Sequence, residues 1–178
     1  MMLFRSKNFL HSMLLVSCIF SALISSAHAQ NNLYPQKPVK VVVAFTAGGT
    51  TDILARIVAQ QLTEKLKQSF LIDNKPGAGG NLGTEIVVRA PADGYTLIVN
   101  SVGPMAVNTT LYSKLPYNPI TDLVPIVQIA DVPNVLVVHP SVPAKNMEEF
   151  IAYAKANDGK LNYGSTGIGT SSHLSSFM

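Results

Sequence analysis

Hydrophobic and polar positions along this chain switch repeatedly between a strand pattern and a helix pattern. The run from Val39 to Phe45 is rich in valine and has no polar residue after Lys40, as expected of a strand buried in a parallel sheet. A tight turn, Thr46-Ala47-Gly48-Gly49-Thr50-Thr51, follows it. Apolar residues then recur at helical spacing (Leu54, Ile57, Val58, Leu62, Leu66), which predicts a helix from Asp52 to Lys67. Thr50 or Thr51 is expected to cap that helix, and Lys65 and Lys67 suit its negative end.

The unit repeats. Phe70 to Asp73 reads as a short strand, and Asn74-Lys75-Pro76-Gly77-Ala78-Gly79-Gly80 as a turn-rich loop. Leu82 to Ala90 fits a helix with Leu82, Ile86 and Val87 on one face. Pro91-Ala92-Asp93-Gly94 then turns the chain into a third strand, Tyr95 to Asn100. The order β-α-β-α-β implies a parallel sheet covered by helices.

Beyond this point the pattern loosens. Asn108 to Asp122 reads as an irregular excursion. Val124 to Ala130 and Asn134 to His139 are strand-like runs around Pro133, which marks a crossing between domains. Asn146 to Ala156 predicts a helix with Met147, Phe150, Ile151 and Ala154 on one side and Glu148 and Glu149 at its positive end. Leu161 to Gly164 predicts a brief strand. A second glycine and hydroxyl loop, Ser165 to Ser172, leads into a helix starting near Ser171.

The first thirty residues read differently. Arg5 and Lys7 precede an apolar run from Met13 to Ile24 and the small-residue stretch Ser25-Ser26-Ala27-His28-Ala29. This is the pattern of a secretory leader cut after Ala29, which marks an exported protein. The run falls short of the roughly 20 apolar residues of a membrane span. A lipid-attachment site at Cys18 is the weaker alternative, because the apolar run continues past it. Cys18 is the only cysteine, so the mature chain has no thiol chemistry. Without Arg5 and Lys7 the 13 basic residues fall to 11, against 10 acidic ones, a net charge of +1. There is no basic run, and nucleic acid is excluded as a partner. The ending Ser175-Ser176-Phe177-Met178 carries no helix stop signal and reads as a truncation.

Loops at the C-terminal ends of parallel strands are where ligands sit. In the first loop, glycines let backbone N–H groups converge, and the helix end adds roughly half a positive charge. Such a site suits an anion. The second loop has the same construction, so two facing loops would suit a ligand with two separated polar groups, such as a dicarboxylate. Neither loop has Lys or Arg, so a carboxylate would lean on backbone N–H groups and on Thr50, Ser165, Thr166 and Thr170. Phe45 and Tyr163 could form walls. Asp52 has two readings: a stabiliser of its own helix turn, or an acceptor for bound water or a ligand ammonium. His173 likewise either packs and caps or donates to a ligand. Pro76 to Gly83 fails the dinucleotide fingerprint at Leu82 and reads as close packing of loop on sheet. Asn108-Thr109-Thr110 matches a glycosylation sequon, a pattern too common to use. No nucleophile elbow, zinc motif or cysteine–histidine pair occurs, and no catalytic, metal or cofactor residue is nominated.

Several motifs together resemble one family. They are Tyr34-Pro35 with Lys37-Pro38, Phe45 with Ala47-Gly48-Gly49 and Asp52, Asn74-Lys75-Pro76-Gly77-Ala78-Gly79-Gly80-Asn81, Asp93-Gly94-Tyr95-Thr96-Leu97, and Tyr163-Gly164-Ser165 through His173-Leu174. In this order they resemble the tripartite tricarboxylate transporter receptors, the Bug family of periplasmic binding proteins. The resemblance implies an α/β type II periplasmic binding fold, two-lobed, with an open, mainly parallel sheet in each lobe. The first lobe would run from 30 to 132, and the second, truncated here, from 133 to 178. It implies a monomeric receptor that is no enzyme and needs no cofactor. Such a receptor captures a small carboxylate (a di- or tricarboxylate, an acidic amino acid or an aromatic acid) for membrane permease subunits or a sensor. The implied ligand residues are Phe45, Ala47, Gly48, Gly49, Thr50, Asp52, Ser101, Ser165, Thr166, Thr170 and His173, with Asp52 helping to hold an ordered water. Thr46 departs from the family, which often has proline there. Family members are nearly twice as long, so this chain is expected to lack a sheet strand and several ligand contacts, and to fold poorly alone. The competing classes are a secreted α/β hydrolase or transferase using Ser165 or His173, and a non-transport sensor or adhesive subunit.

Overall fold

In the computed structural model, which describes residues 34–178, Val39–Val43 form β1 and Thr50–Leu66 form α1. Phe70–Asn74 form β2, and a short 3-10 turn at Ala78–Gly80 runs into α2, Asn81–Val88. Thr96–Val99 form β3. The expected leader and its cleavage after Ala29 lie outside the described residues. Contacts group residues 37–178 into one unit.

The three strands make a parallel sheet in the order β2-β1-β3, with Val41 opposite both Ile72 and Leu97. β1 is central, which is why its valines carry no alternation. Val39, Val42, Val43 and Ala44 are fully buried, and Lys40 alone in the strand is exposed. Val39, Val41, Ala59 and Phe70 form the core cluster, joined by Leu62, Ile72, Leu97 and Val99.

On both helices the most buried residues are small or polar ones that the apolar spacing did not single out, although Leu62 of α1 packs on the core as expected. On α1 the buried residues are Asp52, Ala55 and Ala59, while Ile53 and Ile57 remain 52% and 55% exposed. Small side chains let the helix axis approach the sheet closely. On α2 the buried residues are Asn81, Gly83 and Thr84, and the predicted face fails: Leu82 and Ile86 are exposed. Gly83 explains the rotation. A Cβ there would lie 2.8 Å from both Ala44 Cα and Lys75 O, so the bare backbone sets the helix against the end of β1. This is the close packing expected of the Pro76 to Gly83 cluster.

The cap of α1 also differs. Gly49 is the N-cap and makes no side-chain cap bond, while Thr50 and Thr51 lie inside the first turn. At the other end Lys67 is the C-cap in a left-handed conformation (φ 57°), with its N–H on Thr63 O at 3.0 Å. A side chain is unfavourable there, so Lys67→Gly should stabilise the chain by roughly 0.5–1 kcal/mol, read as a raised melting midpoint.

Beyond β3 the excursion starts earlier than expected, with a π-helical turn at Gly103–Val107 and a short α3 at Asn108–Leu111. The three later strands do not form. Residues 124–130, 134–139 and 161–164 carry no ladder, and Val124, Ile126, Val127, Val135 and Val137 are 75–88% exposed. A strand holds only through cross-strand partners and a covered face, and no described strand supplies either. α4, Met147–Ala156, forms as expected, and Asn146 Oδ1 accepts from Glu149 N at 2.9 Å. Its predicted apolar side stays uncovered, with Met147 56% exposed. α5 is Ser171–Phe177. No described helix is long and apolar enough to cross a membrane.

Candidate functional site

The loop between β1 and α1 stands at the C-terminal edge of the sheet, beside Ser101 just past β3. Thr46, Ala47, Gly48 and Thr50 are exposed, Gly49 and Phe45 are half-buried, and Asp52 is 2% exposed. Asp52 is the third residue of α1, and its carboxylate turns back under the loop. Oδ2 accepts from Gly48 N at 2.8 Å and Arg56 Nε at 2.9 Å, and Oδ1 accepts from Asn74 Nδ2 at 2.9 Å. The Arg56 guanidinium first, then the Gly48 N–H and the Asn74 carboxamide, hold this carboxyl well below the usual carboxylate range.

This geometry changes the role expected of two residues. Asp52 faces inward on three protein donors, an arrangement unlike an open anchor for water or an ammonium group. The Gly48 N–H, expected among the donors to a ligand, is engaged by Asp52, and the Gly49 N–H donates to Thr46 O at 3.3 Å. The first helical bond is Ile53 N to Gly49 O. The N–H groups of Thr50, Thr51 and Asp52 therefore precede any intrahelical bond and are the donors left at the helix end. Inward neutralisation of Asp52 also removes the repulsion that a carboxylate beside an anion site would cause.

A floor lies beside this loop. The Phe45 ring rests against Gly80, where a Cβ would meet Phe45 Cζ at 3.0 Å and Pro104 Cγ at 2.8 Å. The second loop sits on the same floor. A Cβ on Gly79 would overlap the Ile168 carbonyl oxygen, and one on Gly103 would lie 3.0 Å from Gly169 O. Tyr112 Oη adds a 3.4 Å bond to Ile168 O. The Asn74–Gly80 motif thus reaches the site as well as the sheet.

Under the floor is a buried polar network. Asn81 Oδ1 accepts from Asn108 Nδ2 at 2.6 Å, and the single Tyr117 hydroxyl proton is shared between Asn81 Oδ1 at 2.9 Å and Pro104 O at 3.0 Å. Burial pushes the Tyr117 phenol up. Asn108 is fully buried, so the sequon at this position has no accessible acceptor. Its Oδ1 has no hydrogen-bond partner and faces Gly169.

In the second loop Ser165 and Thr166 are exposed, and Thr166 Oγ1 pairs with Ser172 Oγ at 2.9 Å. Thr170 is 3% exposed, and its hydroxyl is used inside the loop. It donates to Gly167 O at 2.6 Å and caps α5 by accepting from His173 N at 3.4 Å. The His173 ring stacks on Phe177 (6.5 Å, 16°) and tilts against Tyr163, with Nδ1 buried and unpartnered. That is the packing arrangement of the two expected for it. Arg56, Asn74, Asn81, Asn108 and Tyr117 were missed from sequence. For Arg56 a signal existed, because it lies four residues after Asp52 on a helix. Among the described residues, no group of three His, Cys, Asp or Glu could hold a metal. Two surface hollows, of about 380 and 480 Å3, are lined by residues such as Val138 and Pro143, and Gln60 and Phe70. Neither is lined by a residue of either loop.

Comparison with known proteins agrees with this layout. The model of the tripartite tricarboxylate transporter family receptor matches residues 54–177. A UPF0065 protein of Bordetella pertussis is 45% identical over 150 residues, 84% of this chain and 46% of the relative. BugT of the same organism is 37% identical over 150 residues, again 84% of this chain and 46% of the relative. An R. palustris protein solved with adipate superposes with a TM-score of 0.77 at 43% identity, over 80% of this chain and 48% of the other. MatC of Rhodopseudomonas palustris, solved with malate, gives 0.75 at 35% identity, over 81% and 49%. The chain spans about half the length of the curated relatives it matches.

Proposed function

This chain belongs to the tripartite tricarboxylate transporter receptor family, and from that premise we propose that it captures a small carboxylate in the periplasm. The observation that carries the reading is the inward turn of Asp52. With that charge held by Arg56, Gly48 and Asn74, the exposed rim of the first loop presents the Thr50 and Thr51 N–H groups to an anion. A dicarboxylate suits the site best. One carboxylate would meet the first loop with Thr50 and Ser101, and the other would meet Ser165 and Thr166. Phe45, Ala47, Gly48 and Gly49 would shape the first contact. Asp52 and Thr170 would act from beneath, and His173 would pack behind the second loop. The adipate and malate carried by the two R. palustris relatives support this class of ligand.

The same reading makes residues 30–132 part of a first lobe and residues from 133 the start of a second, with permease subunits or a sensor as recipients. Calorimetry of the purified protein with malate, adipate and a neutral sugar tests it. Malate or adipate should bind and the sugar should not, and binding of the sugar alone would overturn the carboxylate reading.

A further inference from the structure

Asn74 stands outside every nominated contact, at the end of β2 and 22 positions from Asp52. Its carboxamide is used on both sides. Nδ2 donates to Phe45 O at 3.1 Å and to Asp52 Oδ1 at 2.9 Å, while Oδ1 accepts from Arg56 Nη2 at 3.3 Å. Two acceptors on one side and a cation on the other fix which end of the amide is nitrogen. One side chain therefore ties together the end of β1, the first turn of α1 and the Arg56 side chain. Asp52 passes the restraint on to Gly48 N at 2.8 Å.

We propose that Asn74 is a positioning residue for the ligand loop, because its carboxamide clamps Phe45 O and the Asp52 carboxylate and so fixes the direction of the loop's N–H groups. This rests on the reading of that loop as the carboxylate site, although the clamp itself can be measured without ligand. The clamp is made of protein groups alone, so it needs no ligand to aim the donors. Pre-set donors of this kind bind an anion without first having to be ordered. Arg56 is the second member. It is half-exposed and reaches Asp52 and Asn74 at once, which sets the carboxylate against the carboxamide.

Asn74→Asp is nearly isosteric but turns an acceptor toward Phe45 O and Asp52. Amide exchange at Gly48, measured by NMR in the whole chain, should quicken about tenfold, the scale of one lost hydrogen bond. Amides of β3 should keep their protection, which a general loss of stability would not allow. Asn74→Ala removes the bridge without adding a charge and should move Gly48 the same way by less. It is the deciding variant if Asn74→Asp does not fold. Arg56→Ala should also loosen Gly48, with partial recovery in Arg56→Lys. Malate affinity should fall in step with Gly48 protection. Unchanged Gly48 exchange in folded Asn74→Ala overturns the proposal, as does a uniform loss across β3. If the unaltered chain binds neither malate nor adipate, the carboxylate reading fails and the Gly48 measurement still decides the clamp.

Discussion

Gly79→Ala should destabilise the chain clearly more than Gly48→Ala, although both glycines have left-handed backbone, with φ of 62° and 81°. At Gly48 a Cβ meets nothing within 4 Å, so alanine there carries only the backbone term, roughly 1–2 kcal/mol. At Gly79 the same atom would overlap the Ile168 carbonyl oxygen and come 3.3 Å from Tyr112 Oη. A backbone carbonyl cannot swing aside like a side-chain tip. Overpacking of this kind adds roughly 1–3 kcal/mol, for a total of roughly 2–5 kcal/mol. The second loop is anchored to the floor mainly at Gly167–Thr170, so it can also escape by lifting. Denaturant titration of the two variants, with limited proteolysis near Ile168, separates these outcomes. Lifting would show as new cleavage with a smaller stability loss. Equal losses and no new cleavage in both variants would mean that the second loop does not rest on Gly79.

The second large effect is acid loosening of the ligand loop through Asp52. Its pKa is depressed below the ordinary 3.8, so the sign is fixed. The contribution is fully present above pH 3.8 and is lost progressively as pH falls from there toward the lower folded value. Protonation puts a hydroxyl where Gly48, Arg56 and Asn74 all present N–H donors. Asp93, lowered first by the Tyr95 N–H, and Asp122, lowered first by the Asn118 N–H, shift in the same direction. The readout is therefore the difference between the unaltered chain and Asp52→Asn. A carboxamide at 52 offers one acceptor oxygen, so its NH2 must face a donor. Asp52→Asn should lower malate affinity at neutral pH by about tenfold or more, the loss of a charge-assisted hydrogen bond. It should also abolish the acid step in Gly48 protection. An identical acid profile in both proteins would remove Asp52 as its source.

Local chemistry made much of the first part legible. The valine run of β1, the glycine turn and the helix behind it follow from periodicity within a few residues. So do the repeated unit at β2 and α2, the helix α4 and the start of α5 at Ser171. The parallel pairing follows too, because crossover helices leave few alternatives. The resemblance to the receptor family rested on motifs in that part together with the Tyr163–Leu174 stretch, and the family model matches residues 54–177.

Burial was harder to read. Leu82 and Ile86 have the right spacing for a core face, yet Gly83 lets the helix roll until Asn81, Gly83 and Thr84 are its buried residues. Val124 to Ala130 has the composition of a strand, but composition supplies no partner, and the run stands exposed.

The sequence by itself determined where the ligand loop lies and that it joins a buried strand to a helix end, because both signals are local. It could not determine which way Asp52 points. That depends on Asn74, brought from 22 positions away by parallel pairing, and on a glycine floor that admits the second loop. Tertiary structure decided these points because a buried carboxylate turns toward whichever donors the fold places within reach, and donors so far apart in the chain meet only once the sheet has formed.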